Sequence, residues 1–217
     1  MRRRTFLQSA LAVPTLSRLW AAAEPGQLRI QAVEILQVEG QLTIEEPQPS
    51  QHQVQPLHVY PEHRPQPIRG ATSLVRRTRR LRSLYLRLRT NQGLDGLYGP
   101  IDAEAAVVVD RQLRPFLIGK DPLAGEALWD QMFRLNRHSR SGHYMMAISA
   151  VDNALWDLRG RYLNVPVYRL LGGPTRSRVR VYGSCLGYSV DPPAAAKMAA
   201  QLVQEGFLHQ KWFLAYG

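Results

Sequence analysis

Ala147-Ile148-Ser149-Ala150-Val151-Asp152-Asn153-Ala154-Leu155-Trp156-Asp157-Leu158-Arg159-Gly160-Arg161 is the run whose reading decides the fold, and it leads through Pro166-Val167 to Leu170-Leu171-Gly172-Gly173. Ile148, Val151, Leu155, Leu158 and Tyr162 recur at spacings of three and four from a start near Ser141. That period predicts a helix with one apolar stripe, and core packing accounts for the stripe. Asn164-Val165-Pro166 ends the helix, because proline cannot continue it.

Upstream, two more helices are expected. Asp102 can cap one through Leu113, with Pro115 near its end, and a second fits Leu123 to Leu135, with Leu128, Trp129 and Phe133 on one side. Before them, Leu28 to Val38 alternates well enough for a strand, with Ile30, Val33, Ile35 and Val38 as its apolar members. Leu84 to Arg89 alternates again, and Gly93, Gly96 and Gly99 follow in a turn-rich stretch. Two or three antiparallel strands are the coarse expectation. Between them, Pro47, Pro49, Pro56, Pro61, Pro65 and Pro67 exclude a helix or central strand, so residues 46–67 read as a long exposed loop.

Downstream of Pro174 the pattern changes. Val179 to Ser184 reads as a strand, Pro193 to Glu205 as a helix and Gln210 to Phe213 as another strand. Strand, helix and strand in this order form a βαβ unit, the repeat of a parallel sheet or barrel.

The chain has 217 residues, 45% of them hydrophobic, with 28 Lys+Arg against 17 Asp+Glu. That composition is globular rather than disordered. No apolar run is long enough to span a membrane in the mature protein, and the single Cys185 cannot form an internal disulfide. The net charge of +11 is localised. Arg2, Arg3, Arg4 and Arg18 lie in the first 23 positions, and Arg69, Arg76, Arg77, Arg79, Arg80, Arg82, Arg87 and Arg89 form a second cluster without an acid. With these twelve set aside, sixteen basic residues face the 17 acidic ones. A phosphate-binding stripe is one reading of the Arg69–Arg89 cluster, but aromatic interleaving is thin and no nucleic-acid-binding motif accompanies it. A charged strand face preceded by a basic loop, or an anionic sugar-acid partner, is preferred.

Residues 1–23 read as a signal peptide. A basic start leads into a modestly apolar stretch from Phe6 to Trp20, and Ala21-Ala22-Ala23 offers a cleavage site before Glu24. Arg3-Arg4-Thr5-Phe6-Leu7-Gln8 resembles the twin-arginine export signal, so a periplasmic or extracellular location is expected. A disordered basic tail and a transit peptide are the weaker alternatives.

The Ala147–Gly173 run resembles the conserved helix and Leu-Leu-Gly-Gly segment of the mandelate racemase and muconate lactonizing group of the enolase superfamily. Leu117-Ile118-Gly119-Lys120-Asp121-Pro122 followed by Glu126-Ala127-Leu128-Trp129 resembles that group's entry into its second capping helix, and Gly93 to Gly99 its exit from the early strands. The resemblance implies an α+β capping domain over residues 28–174, strands before helices, followed over 175–217 by the incomplete start of a TIM-type (β/α) barrel. In that family a divalent metal, usually Mg²⁺, is held by carboxylates on the third, fourth and fifth barrel strands. A Lys or His base then removes the proton next to a substrate carboxylate, through an ene-diolate. The resemblance places no metal ligand in this chain.

It does bring candidates for the site. The family carries a Lys-x-Lys pair after a Gly-Phe dipeptide at the end of the second barrel strand. Here Gly206-Phe207 is followed by Lys211, while Phe213 stands at the second position. Lys211 is therefore expected to position a substrate carboxylate, the alternative being a strand-end lysine facing solvent. Loss of the second Lys favours members with a His base on a later strand, typically acid-sugar dehydratases, over racemases. The family's first loop helps to choose the substrate, which nominates His52, His58, Tyr60, His63 and Arg64; Tyr98 is a further candidate. Asp152 and Asp157 lie on the capping helix and are expected to be structural.

The expectation is thus a Mg²⁺-dependent acid-sugar dehydratase acting on a small carboxylate, inactive in this chain alone because the metal-ligand strands are not in it. The family also admits a homo-oligomer of the full-length protein. A non-catalytic exported remnant is the alternative, and anionic-polymer binding through the arginine cluster is third. A barrel of this type needs roughly 200 residues or more, and only 43 follow Pro174.

Overall fold

Strand β1, Ile30–Pro47, and strand β2, Leu74–Thr90, form with β3, Asp95–Ile101, a sheet in the order β1-β2-β3. These elements come from a computed structural model that describes residues 28–47, 55–65, 74–185, 188, 190 and 192–213. The segment read as a signal peptide, and with it His52, lies outside the described residues. The chain divides into two compact units. One holds the residues up to Glu39 together with Arg82–Gly173, and the other Gly40–Leu81 together with Pro174–Gly217.

In the first unit β2 pairs antiparallel with β3, Leu86 against Tyr98 and Arg89 against Asp95. The turn between them is carried by Gly93, whose φ of 75° suits a residue without a Cβ. Gly96 and Gly99 are not in a turn but inside β3, a correction to the turn-rich reading. Gly96 is there for space: a Cβ on it would lie 2.7 Å from Leu158 Cβ and collide with the Ala154 carbonyl.

Three helices cover the sheet. Ala103–Val108, the π turn Val109–Leu113 and Arg114–Leu117 run on as one helix, α1. It therefore passes the predicted end at Leu113 and includes Pro115. Proline withholds an N–H and crowds the preceding turn, and a π turn immediately before it is one way a helix adapts. Helix α2, Gly125–Leu135, buries Gly125, Leu128 and Met132. Phe133 packs against the core as expected, whereas Trp129, expected on the same side, is 37% exposed and stacks on Phe133 at 5.2 Å. Helix α3, Gly142–Tyr162, is the centre of the core. Ile148, Val151, Leu155 and Leu158 are fully buried, as their spacing predicts, whereas Tyr162 is half exposed on the last turn. Truncating any of these leucines to alanine would cost roughly 2–5 kcal/mol.

Helix α3 ends in a double hydrogen bond. Val165 N–H donates to the Gly160 carbonyl and Asn164 N–H to that of Arg161, with Asn164 at a φ of 55°. This is the Schellman arrangement, with asparagine at the left-handed position glycine usually takes. A single turn, α4, Val167–Leu170, follows.

In the second unit β4, Gly183–Cys185, and β5, Gln210–Trp212, pair in parallel around helix α5, Pro192–Gln204. The βαβ unit is as expected, but its first strand is shorter. Val179, Val181 and Tyr182 lie outside it and are more than half exposed. Pro56–Val59 and Pro61–His63 form two exposed 3₁₀ turns in the segment read as a loop.

Candidate functional site

The β4–β5 pair shows which way its side chains face. A Cβ on Gly183 would touch Leu202 on α5 at 3.5 Å, and Gln210 donates from its side chain to the Ala199 carbonyl of the same helix at 2.9 Å. The Gly183/Gln210 pair is thus on the helix side. Cys185, two residues on, is buried, and burial pushes its thiol up from the ordinary value. Because successive strand residues point to opposite faces, Ser184 and Lys211, which are paired in register, stand on the face away from α5. Both are exposed. In a (β/α) barrel the helices lie outside, so the face away from the helix is the interior, and chemistry sits at the C-terminal strand ends. Lys211 is one residue from the end of β5, with its ammonium 4.8 Å from the centre of the Phe213 ring. Ser184 was not singled out in the sequence. The alternation Gly183, Ser184, Cys185 was the available signal, hidden by reading the strand from Val179.

His58 and Tyr60 belong to the 3₁₀ segment. Gln55 N–H donates to His58 Nδ1 at 3.2 Å, and the Arg64 guanidinium donates to the His58 carbonyl at 2.9 Å. Tyr60 and His63 meet edge to face at 6.5 Å. Four of the five nominated loop residues are therefore gathered into one local cluster. Among the described residues no hydrogen bond, ion pair or ring contact joins that cluster to Lys211. Tyr98 is elsewhere, on β3, lining a cleft of about 280 Å³ with Ile101, Asp102, Met145, Met146 and Ser149.

The arginine cluster is built differently from its sequence reading. Arg76 to Arg82, expected in a loop, are strand residues of β2, and part of the cluster's charge, at Arg82, Arg87 and Arg89, is answered across the sheet. The Arg87 guanidinium donates to Glu34 at 2.7 Å, Arg82 to Glu39 at 3.0 Å, and Arg89 stands 3.6 Å from Glu34. The hydrogen bond from Arg87 holds the Glu34 carboxyl below its ordinary value, with the nearby charges adding to it. β1 carries only glutamates among its charged residues and β2 only arginines. Counting acids within the cluster itself therefore missed its partners on another strand.

The diagnostic helix turns out to be scaffolding. Asp157 accepts from the Leu97 N–H and from Arg161. Arg159 lies over the Trp156 ring at 4.3 Å and fills the space a side chain at Gly125 would need. Asp152 is pushed up by burial, against the attraction of Arg159. Among the described residues no group of three or more His, Cys, Asp or Glu could hold a metal ion. No helix there is long and apolar enough to cross a membrane.

An antiparallel sheet covered by helices, followed by a βαβ unit, is the architecture of a capping domain joined to the opening of a (β/α) barrel. The family model for the mandelate racemase / muconate lactonizing enzyme N-terminal domain matches residues 56–172, more than half of the chain, and the chain belongs to that family, within the enolase superfamily. It is similar to a D-galactonate dehydratase of Verminephrobacter eiseniae, 41% identical over 134 residues, which are 60% of this chain and 34% of that protein. The chain spans about a third of the length of the curated relatives it matches. Among solved structures it is similar to a member of the enolase superfamily from Salmonella Typhimurium, at 30% identity and a TM-score of 0.52 over 58% of this chain and 37% of the other. An enolase from Pantoea ananatis, solved with bound D-gluconate and Mg, shares the fold at 24% identity, with a TM-score of 0.58 over 85% of this chain and 36% of that one.

Proposed function

We propose that this chain supplies the cap and the first two barrel strands of a sugar-acid dehydratase, with Lys211 binding the substrate carboxylate. The placement of Lys211 on the helix-free face of β5, near its C-terminal end, carries this reading. The dehydratase names of its relatives support the substrate class. Dehydration of such an acid removes the C2 proton and the C3 hydroxyl as water, and the enol left behind ketonises to a 2-keto-3-deoxy acid. A lysine ammonium beside the carboxylate offsets negative charge as the proton leaves, and Ser184, opposite it in register, can donate a hydrogen bond to the same group. His58, Tyr60 and Tyr98 are proposed to contact the sugar chain and select its length and stereochemistry.

In this reading a divalent metal, proposed to be Mg²⁺, polarises the substrate carboxylate. The described residues do not fit a metal site, so this chain's residues account for no step through it. The protein is further proposed to be exported through its twin-arginine segment. Undiminished export of an R3K/R4K variant would remove that part.

The test uses the protein translated from the complete open reading frame. With Mg²⁺ and a panel of hexonic acids including D-galactonate, it is expected to form a 2-keto-3-deoxy acid, detected as its semicarbazone. Lys211→Met is expected to raise KM and lower kcat together, since the ammonium binds the carboxylate before and during proton removal. A folded full-length protein that turns over none of the panel would refute the reading.

A further inference from the structure

Strand β5 is three residues long and pairs with β4 at three positions, so its own ladder does little to fix its rotation about the strand axis. A slip of one residue would exchange its two faces and carry Lys211 to the side of α5. The side chains that flank Lys211 oppose that exchange. Gln210 Nε2 donates to the Ala199 carbonyl of α5 at 2.9 Å, and Trp212 Nε1 donates to Gln210 Oε1 at 3.0 Å. An indole N–H only donates, so it sets the amide with its oxygen toward Trp212 and its nitrogen toward the helix. Gln210 and Trp212 are half-buried, whereas Lys211 between them is exposed.

Ala199 lies three residues before Leu202 and so on the same side of α5, where Leu202 stands 3.5 Å from the Cβ position of Gly183 on β4. The side of the helix that packs on β4 by apolar contact thus holds β5 by a hydrogen bond, and a hydrogen bond is directional where apolar contact is not. Away from the helix, Phe213, two residues on from Lys211, keeps its ring 4.8 Å from the ammonium. We propose that Gln210 is a positioning residue for Lys211: by tying β5 to α5 on one face, it presents the ammonium on the other, in register with Ser184. This rests on the reading of Lys211 as the ligand of the substrate carboxylate and adds to it what holds that lysine in place.

Binding measured without dehydration tests it. The probe is a 3-deoxyhexonic acid, which keeps the carboxylate and the C2 hydroxyl but has no C3 hydroxyl to lose. It is titrated calorimetrically, with Mg²⁺, into the protein translated from the complete open reading frame. Lys211→Met is expected to weaken binding by about ten-fold or more. Gln210→Glu keeps the shape and the acceptor for Trp212 but cannot donate to the Ala199 carbonyl, and Gln210→Leu loses both bonds; each is expected to weaken binding by about ten-fold. In a Lys211→Met background the same changes are expected to alter binding by less than about two-fold, because a residue that acts through Lys211 then has nothing to position. Gln210→Glu, nearly isosteric, keeps the test open if Gln210→Leu misfolds. Gln210 variants that bind as the wild type does, or that weaken binding equally with and without Lys211, would overturn the inference and leave the carboxylate reading standing. A wild type that does not bind the probe, or a Lys211→Met variant that binds it as tightly, would refute the carboxylate reading and the inference with it.

Discussion

Asp157 on α3 accepts the backbone N–H of Leu97 on β3 at 2.8 Å, across 60 residues of chain. The same carboxylate oxygen accepts from Arg161 one turn on, at 2.9 Å. Asp157, expected to be structural, is therefore the clasp between helix and sheet. Asp157→Ala should cost about 1 kcal/mol in denaturant unfolding, because the Leu97 amide is exposed enough for water to replace the lost acceptor. Faster hydrogen exchange at Leu97, without a matching change at Leu86, would locate the effect.

Gly96→Ala should be more damaging than its single carbon suggests. The new Cβ meets the Ala154 carbonyl and Leu158 Cβ, neither of which is the end of a flexible side chain. Overpacking of this kind costs typically 1–3 kcal/mol. Thermal unfolding checks it, with Gly40→Ala as the control, since a Cβ at Gly40 meets nothing within 4 Å.

Glu34 is expected to contribute stability that acid removes. Its carboxyl is held below the ordinary 4.5 chiefly by the Arg87 hydrogen bond. A depressed folded-state value stabilises the native state above the unfolded value, and that stability disappears as pH falls through the folded value. Glu34→Gln should lower stability at pH 7 and flatten the loss below pH 4.5. Chemical denaturation at a series of pH values measures both.

Asp152 has the opposite sign. Burial raises it above the ordinary 3.8 more than Arg159 and Trp156 lower it, so its charge opposes folding at neutral pH. Asp152→Asn should stabilise the protein at pH 7, with the gain fading as acid protonates the wild-type carboxyl. A variant less stable than wild type at pH 7 would show that the Arg159 attraction prevails.

Much of the capping domain was legible because local periodicity and tertiary burial agree there. Ile148, Val151, Leu155 and Leu158 form one stripe in sequence and one buried face in space. Legibility failed where a partner distant in sequence decides the outcome. Arg82 looks like part of a basic loop until Glu39 is placed opposite it, and Gly96 looks like a turn residue until Ala154 comes against it. Trp129 is left exposed with its ring stacked on Phe133, and the last turn of α3 leaves Tyr162 half exposed. Lys211 was nominated by the family resemblance through its spacing from Gly206-Phe207, but which face it occupies required α5 to be in place.

The most direct test of the dehydratase reading follows hydrogen rather than rate. The full-length protein with Mg²⁺ and D-galactonate in D₂O should release a 2-keto-3-deoxy acid carrying solvent deuterium at C3, since the C2 proton is lost and C3 is reprotonated as the enol ketonises. Recovery of undehydrated substrate with deuterium at C2 and inverted configuration there would instead make the enzyme an epimerase, and would contradict the account.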